Sequence, residues 1–253
     1  NVRGNIDVLV GSGELWQVAV VTVITITVGV SVGLFFLNKQ KDTLMNVKTD
    51  VAAKPITDQP LVSIITINYD QPQITAQLLE SLRKITYSNV EIWVVDNNSP
   101  NRSVDAITSS FPEVKFIKSA ANLGFAGGNN LAAKQANGEY LLFINNDVEV
   151  SPTFLEPLVQ CLQSDTSIGM VSPKIKYFDS PTVLQYAGCR EIDLITGQGH
   201  FIGHREGDHQ AFGQSVPTAY IHGAAMLVTR NVLDQTGFMD DDYFLYYEEL
   251  DWC

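Results

Sequence analysis

The stretch YLLFINNDVEV, residues 140–150, constrains this chain most. An apolar run from Tyr140 to Ile144 stops at once on Asn145, Asn146 and Asp147. A strand that ends this way presents amides and a carboxylate at the carboxyl edge of an α/β sheet, where open sheets place their ligands. Two other acidic points are read against it. Asp96 closes VEIWVVDNNS, and Glu248, Glu249 and Asp251 crowd the C-terminal end.

The preceding chain has the rhythm of a parallel sheet with covering helices. Residues 61–67 form an apolar run that ends on Asn68, Tyr69 and Asp70. A helix over 72–84 follows, with Ile74, Leu78, Leu79 and Leu82 on one face, Pro72 in its first turn and Asp70 or Gln71 as its cap. A second strand spans 90–95 and ends at Asp96, a short helix spans 103–110, and a third strand spans 114–117. Strand–helix–strand–helix–strand predicts an α/β fold with a mostly parallel, Rossmann-like sheet. In NLGFAGGNNLAAKQANGEY, Gly124, Gly127 and Gly128 permit close backbone approach and feed a helix at 131–135, whose N-terminus can receive an anion. The stretch is neither a G-x-G-x-x-G fingerprint nor a Walker loop. Ser151 and Pro152 supply a cap and first turn for a helix through Leu162, which leaves Asp147 for another task. One strand-end carboxylate together with a diphosphate meets the needs of Mg2+ or Mn2+, which take oxygen ligands and share them with substrate phosphates.

Further on, 168–171 and 174–177 read as short extended pieces. Residues 188–217 form a long, Gly-rich stretch with His200, His204 and His209; it suits recognition of an acceptor better than a zinc site. Small residues at 223–225 in an extended piece over 220–228 allow something to approach closely. A short helix at 229–233 leads to GFMDDDYFLYYEELDWC. There Phe244, Leu245, Tyr246 and Tyr247 make an apolar wall beside Glu248, Glu249 and Asp251. Adjacent acids raise one another's pKa, which suits one of them to accept a proton, though on a helix the three cannot all face one pocket.

Charge narrows the partners. The net charge of −12 lies wholly beyond residue 60, since residues 1–60 hold five basic and five acidic side chains. So acidic a surface does not favour a nucleic-acid backbone as the main partner. Cys161, Cys189 and Cys253 form no CxxC pair and are read as reduced thiols. Residues 15–37 carry no charge and as a helix would span about 35 Å, enough to cross a bilayer core. Asp7 and Glu14 precede this run, and Lys39, Lys41, Lys48 and Lys54 follow it. The expectation is a short tail at 1–14, a single transmembrane helix at 15–37, a linker at 38–60 and a main domain at 61–253 on the cytoplasmic side of the cell membrane. The chain opens on Asn1 and closes on Cys253 directly after the acidic motif, so the domain is expected to be truncated at its C-terminal end.

Six blocks in order, VSIITINYD, VEIWVVDNNS, NLGFAGGNN, LLFINNDVEV, HGAAMLVTR and FLYYEELDWC, together resemble the inverting glycosyltransferases of family 2. The YYEELDWC ending is most similar to the rhamnosyltransferase-like branch. The resemblance implies a GT-A fold and a nucleoside-diphosphate sugar donor, UDP- or dTDP-linked, with a glycan or lipid-linked acceptor. It places Asn68 and Tyr69 on base and ribose, Asp96 on the base, and Asn122 and Gly124 along the nucleotide. The family's Asp-x-Asp metal motif falls on Asn145-Asn146-Asp147, so the metal leans on Asp147, with Asn146 beside the donor. The catalytic base falls on Glu249, with Glu248 and Asp251 as the other candidates. Two other classes compete. A nucleotidyltransferase would need a cationic Gly-rich loop where Asp70-Gln71-Pro72 stands; a membrane-tethered nucleotide- or glycan-binding protein would need no base.

Overall fold

The computed structural model describes residues 6–11, as backbone, and 59–253 except 194 and 197. The expected membrane span at 15–37 and nearly all of the linker lie outside these residues. Among the described residues no helix is long and apolar enough to cross a membrane.

The elements are β1 (Ile6–Gly11), β2 (Val62–Asn68), α1 (Pro72–Leu82), β3 (Val90–Asp96), β4 (Lys115–Lys118), α2 (Gly124–Ala133), β5 (Tyr140–Ile144), α3 (Leu155–Ser164), β6 (Met170–Tyr177), β7 (Ser180–Tyr186), β8 (Ala225–Thr229), α4 (Arg230–Thr236) and α5 (Glu248–Trp252). They build one mixed sheet in the order β1-β6-β8-β5-β2-β3-β4, with β7 paired to β6. The run β5-β2-β3-β4 is parallel. The pairings of β8, β6, β7 and β1 are antiparallel. The expected mostly parallel sheet is therefore half right. Antiparallel β8 starts at the carboxyl edge of β5, so it delivers new chain to that edge without a crossover helix.

The central strands read as unbroken apolar runs because both faces are covered. Every residue of β5 is buried. Helix α1 buries Leu78, Leu79 and Leu82, and α3 buries Leu155, Leu158, Val159 and Leu162. Each such aliphatic side chain contributes about 1.5–3 kcal/mol on full burial.

Three expectations are corrected. Segment 1–14, read as a tail, contains an edge strand, β1, in register with β6 from Ile6↔Ile175 to Gly11↔Met170. The two pieces at 168–177 are one strand, tolerated across Pro173 because that residue lies between those paired to β8, Met170 and Val171, and those paired to β7 from Ile175 on. The stretch 188–217 is folded back on itself, with bridges Cys189↔Phe201 and Asp193↔Gln198. Asp208 holds it to β6 through Lys174 (2.7 Å) and Lys176 (2.8 Å). His204 lies against Phe201 and Tyr177, and His209 stacks on Phe212. The three cysteines are free thiols.

The amino edge of the sheet is stitched by Glu91. Its Oε1 accepts from Ser63 Oγ and from Asn137 N, each at 2.6 Å, and its Oε2 pairs with Lys115 Nζ at 2.6 Å. Burial alone would raise its pKa, but these donors outweigh it and hold the carboxyl at about 2 against an ordinary 4.5. A depressed carboxylate stabilises the fold above its unfolded pKa and loses that contribution as pH falls towards its folded value. Glu91→Gln should therefore lower stability at pH 7 by on the order of 2–3 kcal/mol and flatten the acid limb of a Tm–pH profile. An unchanged acid limb would assign the pH dependence to other groups.

Candidate active site at the carboxyl edge of the sheet

Strand ends β2, β3 and β5 and the entry to β8 meet at one edge. Asn68 and Asp96 are register partners. Asn145 N donates to Ala224 O at 3.0 Å, tying the turn after β5 to the approach to β8. The turn is then pinned by Val150 N on Ser81 Oγ (3.3 Å), with Val148 and Val150 buried.

Asn68 is fully buried and works through its amide. Its Nδ2 donates to Ser99 Oγ (3.1 Å), and its Oδ1 accepts from Thr75 Oγ1 (2.9 Å). Asn146 Nδ2 donates to the same Thr75 hydroxyl (3.1 Å). Asp96, 3 % exposed, accepts from Ser99 N (3.1 Å) and Val104 N (3.0 Å), so its carboxylate shapes the loop after β3. Burial would raise its pKa, yet hydrogen bonds from the Ser99 side chain and Val104 N prevail and keep it below the usual range. Of the two expected caps, Gln71 stands at the N-cap of α1 without a side-chain cap bond, and Asp70 instead accepts from Asn101 N and Arg102 N. Asp70 and Asn98 sit in the left-handed region at φ 55° and 60°, which short polar side chains tolerate. Tyr69 stands exposed beside them.

Asn97 went unread in the sequence, although it follows Asp96 directly. Its Nδ2 donates to Asn122 Oδ1 and to Gly124 O, each at 2.9 Å, and its Oδ1 accepts from Leu123 N. It thereby fixes the Asn122–Gly124 turn against the end of β3. The helix after this turn begins at Gly124, not at 131. Its glycines let it sit close to the sheet: a Cβ at Gly128 would lie 2.8 Å from Ile67 Cδ1. The helix start is not the open anion site that was expected. Gly124 N donates to Asn122 Oδ1 (3.0 Å), and Phe125 N donates to Phe244 O (2.7 Å).

That last bond brings in the C-terminal acids. Phe244, Leu245, Tyr246 and Tyr247 are exposed, and Tyr246 and Tyr247 both have φ 72°. The expected wall is thus an exposed apolar face, and the chain turns sharply through it into α5. Trp252 anchors α5 on β5 by an edge contact with Phe143 (5.6 Å) and donates from Nε1 to Gly237 O (3.2 Å). Glu248 is 4 % exposed, Glu249 is half-buried and Asp251 is exposed. Burial raises the pKa of Glu248 and Glu249, and one oxygen of each is buried without a hydrogen-bond partner among the described residues. Asp251 is not with them; its charge raises the Tyr243 phenol instead. The small residue predicted to permit close approach is Gly223, where an added Cβ would lie 3.6 Å from Glu249 Cδ. His222 beside it accepts from Ala224 N through Nδ1 (3.0 Å), and burial pushes it down to about 4, so the ring is neutral at pH 7.

Asp147 is half-buried in the turn after β5. Ser151 is not the cap of the following helix: α3 starts at Leu155 with Phe154 at its N-cap and no side-chain cap. Asp147 lies too far upstream to cap it. Among the described residues no three His, Cys, Asp or Glu side chains gather as a metal cage. The donor set at 145–147 is one carboxylate and two amides, hard oxygen donors suited to an ion that completes its shell with phosphate and water.

Residues 63–237 match the family described as Glycosyl transferase family 2. A low-salt glycan biosynthesis hexosyltransferase of Haloferax volcanii is 26 % identical over 76 % of this chain and 60 % of its own. An O-antigen biosynthesis protein of Myxococcus xanthus is 32 % identical over 75 % of this chain and 15 % of its own. An N-acetylglucosaminyl-diphospho-decaprenol L-rhamnosyltransferase of Mycobacterium tuberculosis is 23 % identical over 76 % and 68 %. The chain thus spans less than two thirds of the first two of these relatives. Among solved structures, a mannosyltransferase of Pyrobaculum calidifontis in complex with GDP-Man and Mn2+ superposes with a TM-score of 0.54 at 20 % identity, covering 83 % of this chain and 55 % of that one. TarS of S. aureus superposes at 0.52 and 17 % identity over 76 % and 53 %. At such identities the likeness is one of fold.

Proposed function

The chain belongs to glycosyl transferase family 2, and from that premise we propose that it moves a sugar from a nucleoside-diphosphate donor to a hydroxyl of a glycan or lipid-linked acceptor, inverting the anomeric carbon. The observation that carries this reading is the gathering of Asn68, Asp96 and Asn146 into one hydrogen-bonded edge, with Glu249 set against Gly223 beside it.

In this reading the nucleoside lies over Asn68, Tyr69 and Asp96, and the Asn122–Gly124 turn follows it. The diphosphate reaches the turn after β5, where Asp147 would hold Mg2+ or Mn2+ and Asn146 would lie alongside. Such an ion, when bound, offsets the charge that grows on the leaving diphosphate. Glu249 takes the proton from the acceptor hydroxyl. The hydroxyl oxygen bonds to C1 from the face opposite the diphosphate, and the C1–O bond breaks with its electron pair leaving on the diphosphate. A carboxylate whose pKa is raised by burial is a better base than an exposed one. The mannosyltransferase complexed with GDP-Man and Mn2+ supports the donor class, and the decaprenol-linked relative supports a lipid-linked acceptor. The rhamnosyltransferase-like ending supports a UDP- or dTDP-linked donor. The run at 15–37 supports a single-pass membrane anchor with the domain on the cytoplasmic side.

A panel of UDP-, dTDP- and GDP-sugars, titrated with and without Mn2+, tests the proposal. One donor should bind in a Mn2+-dependent way and be turned over with an added acceptor. Asp147→Ala should cut transfer by about 100- to 1000-fold and abolish the Mn2+ dependence of binding. Full turnover by that variant, with Mn2+ dependence intact, would remove Asp147 from the metal role.

A further inference from the structure

We propose that Thr75 is a positioning residue that couples the nucleoside end of the donor site to its diphosphate end. The proposal rests on the donor reading above. Thr75 lies in the first turn of α1, 0 % exposed, and its backbone N–H donates to Gln71 O at 3.1 Å. Its side chain reaches the strand ends. Oγ1 donates towards Asn68 Oδ1 at 2.9 Å, with Gln71 O at 3.2 Å as a second acceptor, and it accepts from Asn146 Nδ2 at 3.1 Å. Asn68 passes the link to Ser99 Oγ (3.1 Å), which also accepts from Asp70 N (2.9 Å), and Ser99 N completes it on Asp96 Oδ1 (3.1 Å). A single hydroxyl thus joins the end of β2, and through it β3, to the residue preceding Asp147.

The chemistry of a hydroxyl makes this more than packing. It has one proton to give and lone pairs to receive with, so it satisfies one amide oxygen and one amide N–H at once. With its NH2 held by Thr75, the planar amide of Asn146 turns its Oδ1 away from α1, and the orientation of the 145–147 turn is set with it. Asn68 is oriented from the other side. Thr75 and Asn68 are fully buried and Asn146 is half-buried, so loss of the hydroxyl leaves the Asn68 oxygen without that donor and frees the Asn146 amide to turn. Both changes would fall on the donor site. A plain helix residue at this position would need only volume.

The test compares Thr75→Val, which keeps the volume and removes the hydroxyl, with Thr75→Ser, which keeps the hydroxyl. Each is assayed with the nucleotide sugar that the panel selects. Thr75→Val should raise the donor KM, and the Mn2+ concentration for half-maximal rate, by about tenfold each. Thr75→Ser should stay within about threefold of the parent in both. Asn146→Ala severs the same contact from the other end. The double variant Thr75→Val/Asn146→Ala should be no worse than the poorer single one, as expected of residues that act through one contact. Val equal to the parent, Ser as damaged as Val, a loss confined to kcat, or additive effects in the double variant would each overturn the coupling. Binding of no panel member by the parent chain would instead overturn the donor reading itself.

Discussion

Glu249→Gln should leave donor binding unchanged and reduce sugar transfer by roughly 100- to 10,000-fold, the range expected when a general base is removed. Gln keeps the shape of the side chain beside Gly223 and the backbone bond from Cys253 N to Glu249 O. It loses only the capacity to take a proton. The pH profile gives the same answer independently. Burial raises the Glu249 pKa, and a base works deprotonated, so the parent rate should fall as pH drops through a value above the ordinary carboxylate range. That limb should vanish in the Gln variant. Stability should move the other way. A carboxyl whose folded pKa is raised favours the unfolded state above its unfolded pKa, so Glu249→Gln should hold or raise Tm at pH 7. Loss of rate without loss of Tm separates chemistry from folding. Asp251→Asn, on the exposed side of α5, should be close to neutral in both. An undiminished rate in Glu249→Gln would move the base to Glu248, the more buried of the pair.

Gly124→Ala is the second large effect, and it is steric. Gly124 has φ +70°, which costs any other residue, and its added Cβ would lie 2.1 Å from Phe244 O. One of the two segments must move. The adjacent Phe125 N–Phe244 O bond of 2.7 Å would go with it. Phe244 is four residues ahead of α5, and Tyr246 and Tyr247 already hold left-handed backbone between them. A displacement at Phe244 therefore passes into the helix that carries Glu249. The expected result is a stability loss of about 2–4 kcal/mol together with a fall in transfer well beyond what that loss explains, by at least about 100-fold. Gly207→Ala is the control, since an added Cβ there meets nothing within 4 Å. Equal behaviour of the two variants in Tm and rate would refute the clamp between the Asn122–Gly124 turn and the acidic helix.

The parts of the fold that could be read from the chain were those set by local pattern. Strand β5 was read to its last residue, because an apolar run broken by three polar side chains has one reasonable end. The strands ending at Asn68 and Asp96 were placed within about a residue for the same reason. The start of α2 was misread by seven residues. Glycines that look like a loop are helical here because contact with Ile67 and Asn97 repays their poor propensity. Strand β7 was missed because its first residues are exposed and carry no apolar alternation.

The sequence alone determined which residue types lie at the strand ends, since where an apolar run stops is a local matter. It also supplied the acids, amides and glycines of the site. Only the tertiary structure decided how they are joined. Thr75 lies outside every block that carries the resemblance and Ser99 merely closes one of them, and the importance of both comes from contacts with residues 7 to 71 positions away. The separation of Asp251 from Glu248 and Glu249 was likewise settled by the anchoring of Trp252 on Phe143, which fixes the face that α5 turns inward. Hydrogen-bond partners across a sheet edge depend on register and chain direction, and no stretch of sequence contains both ends of such a bond.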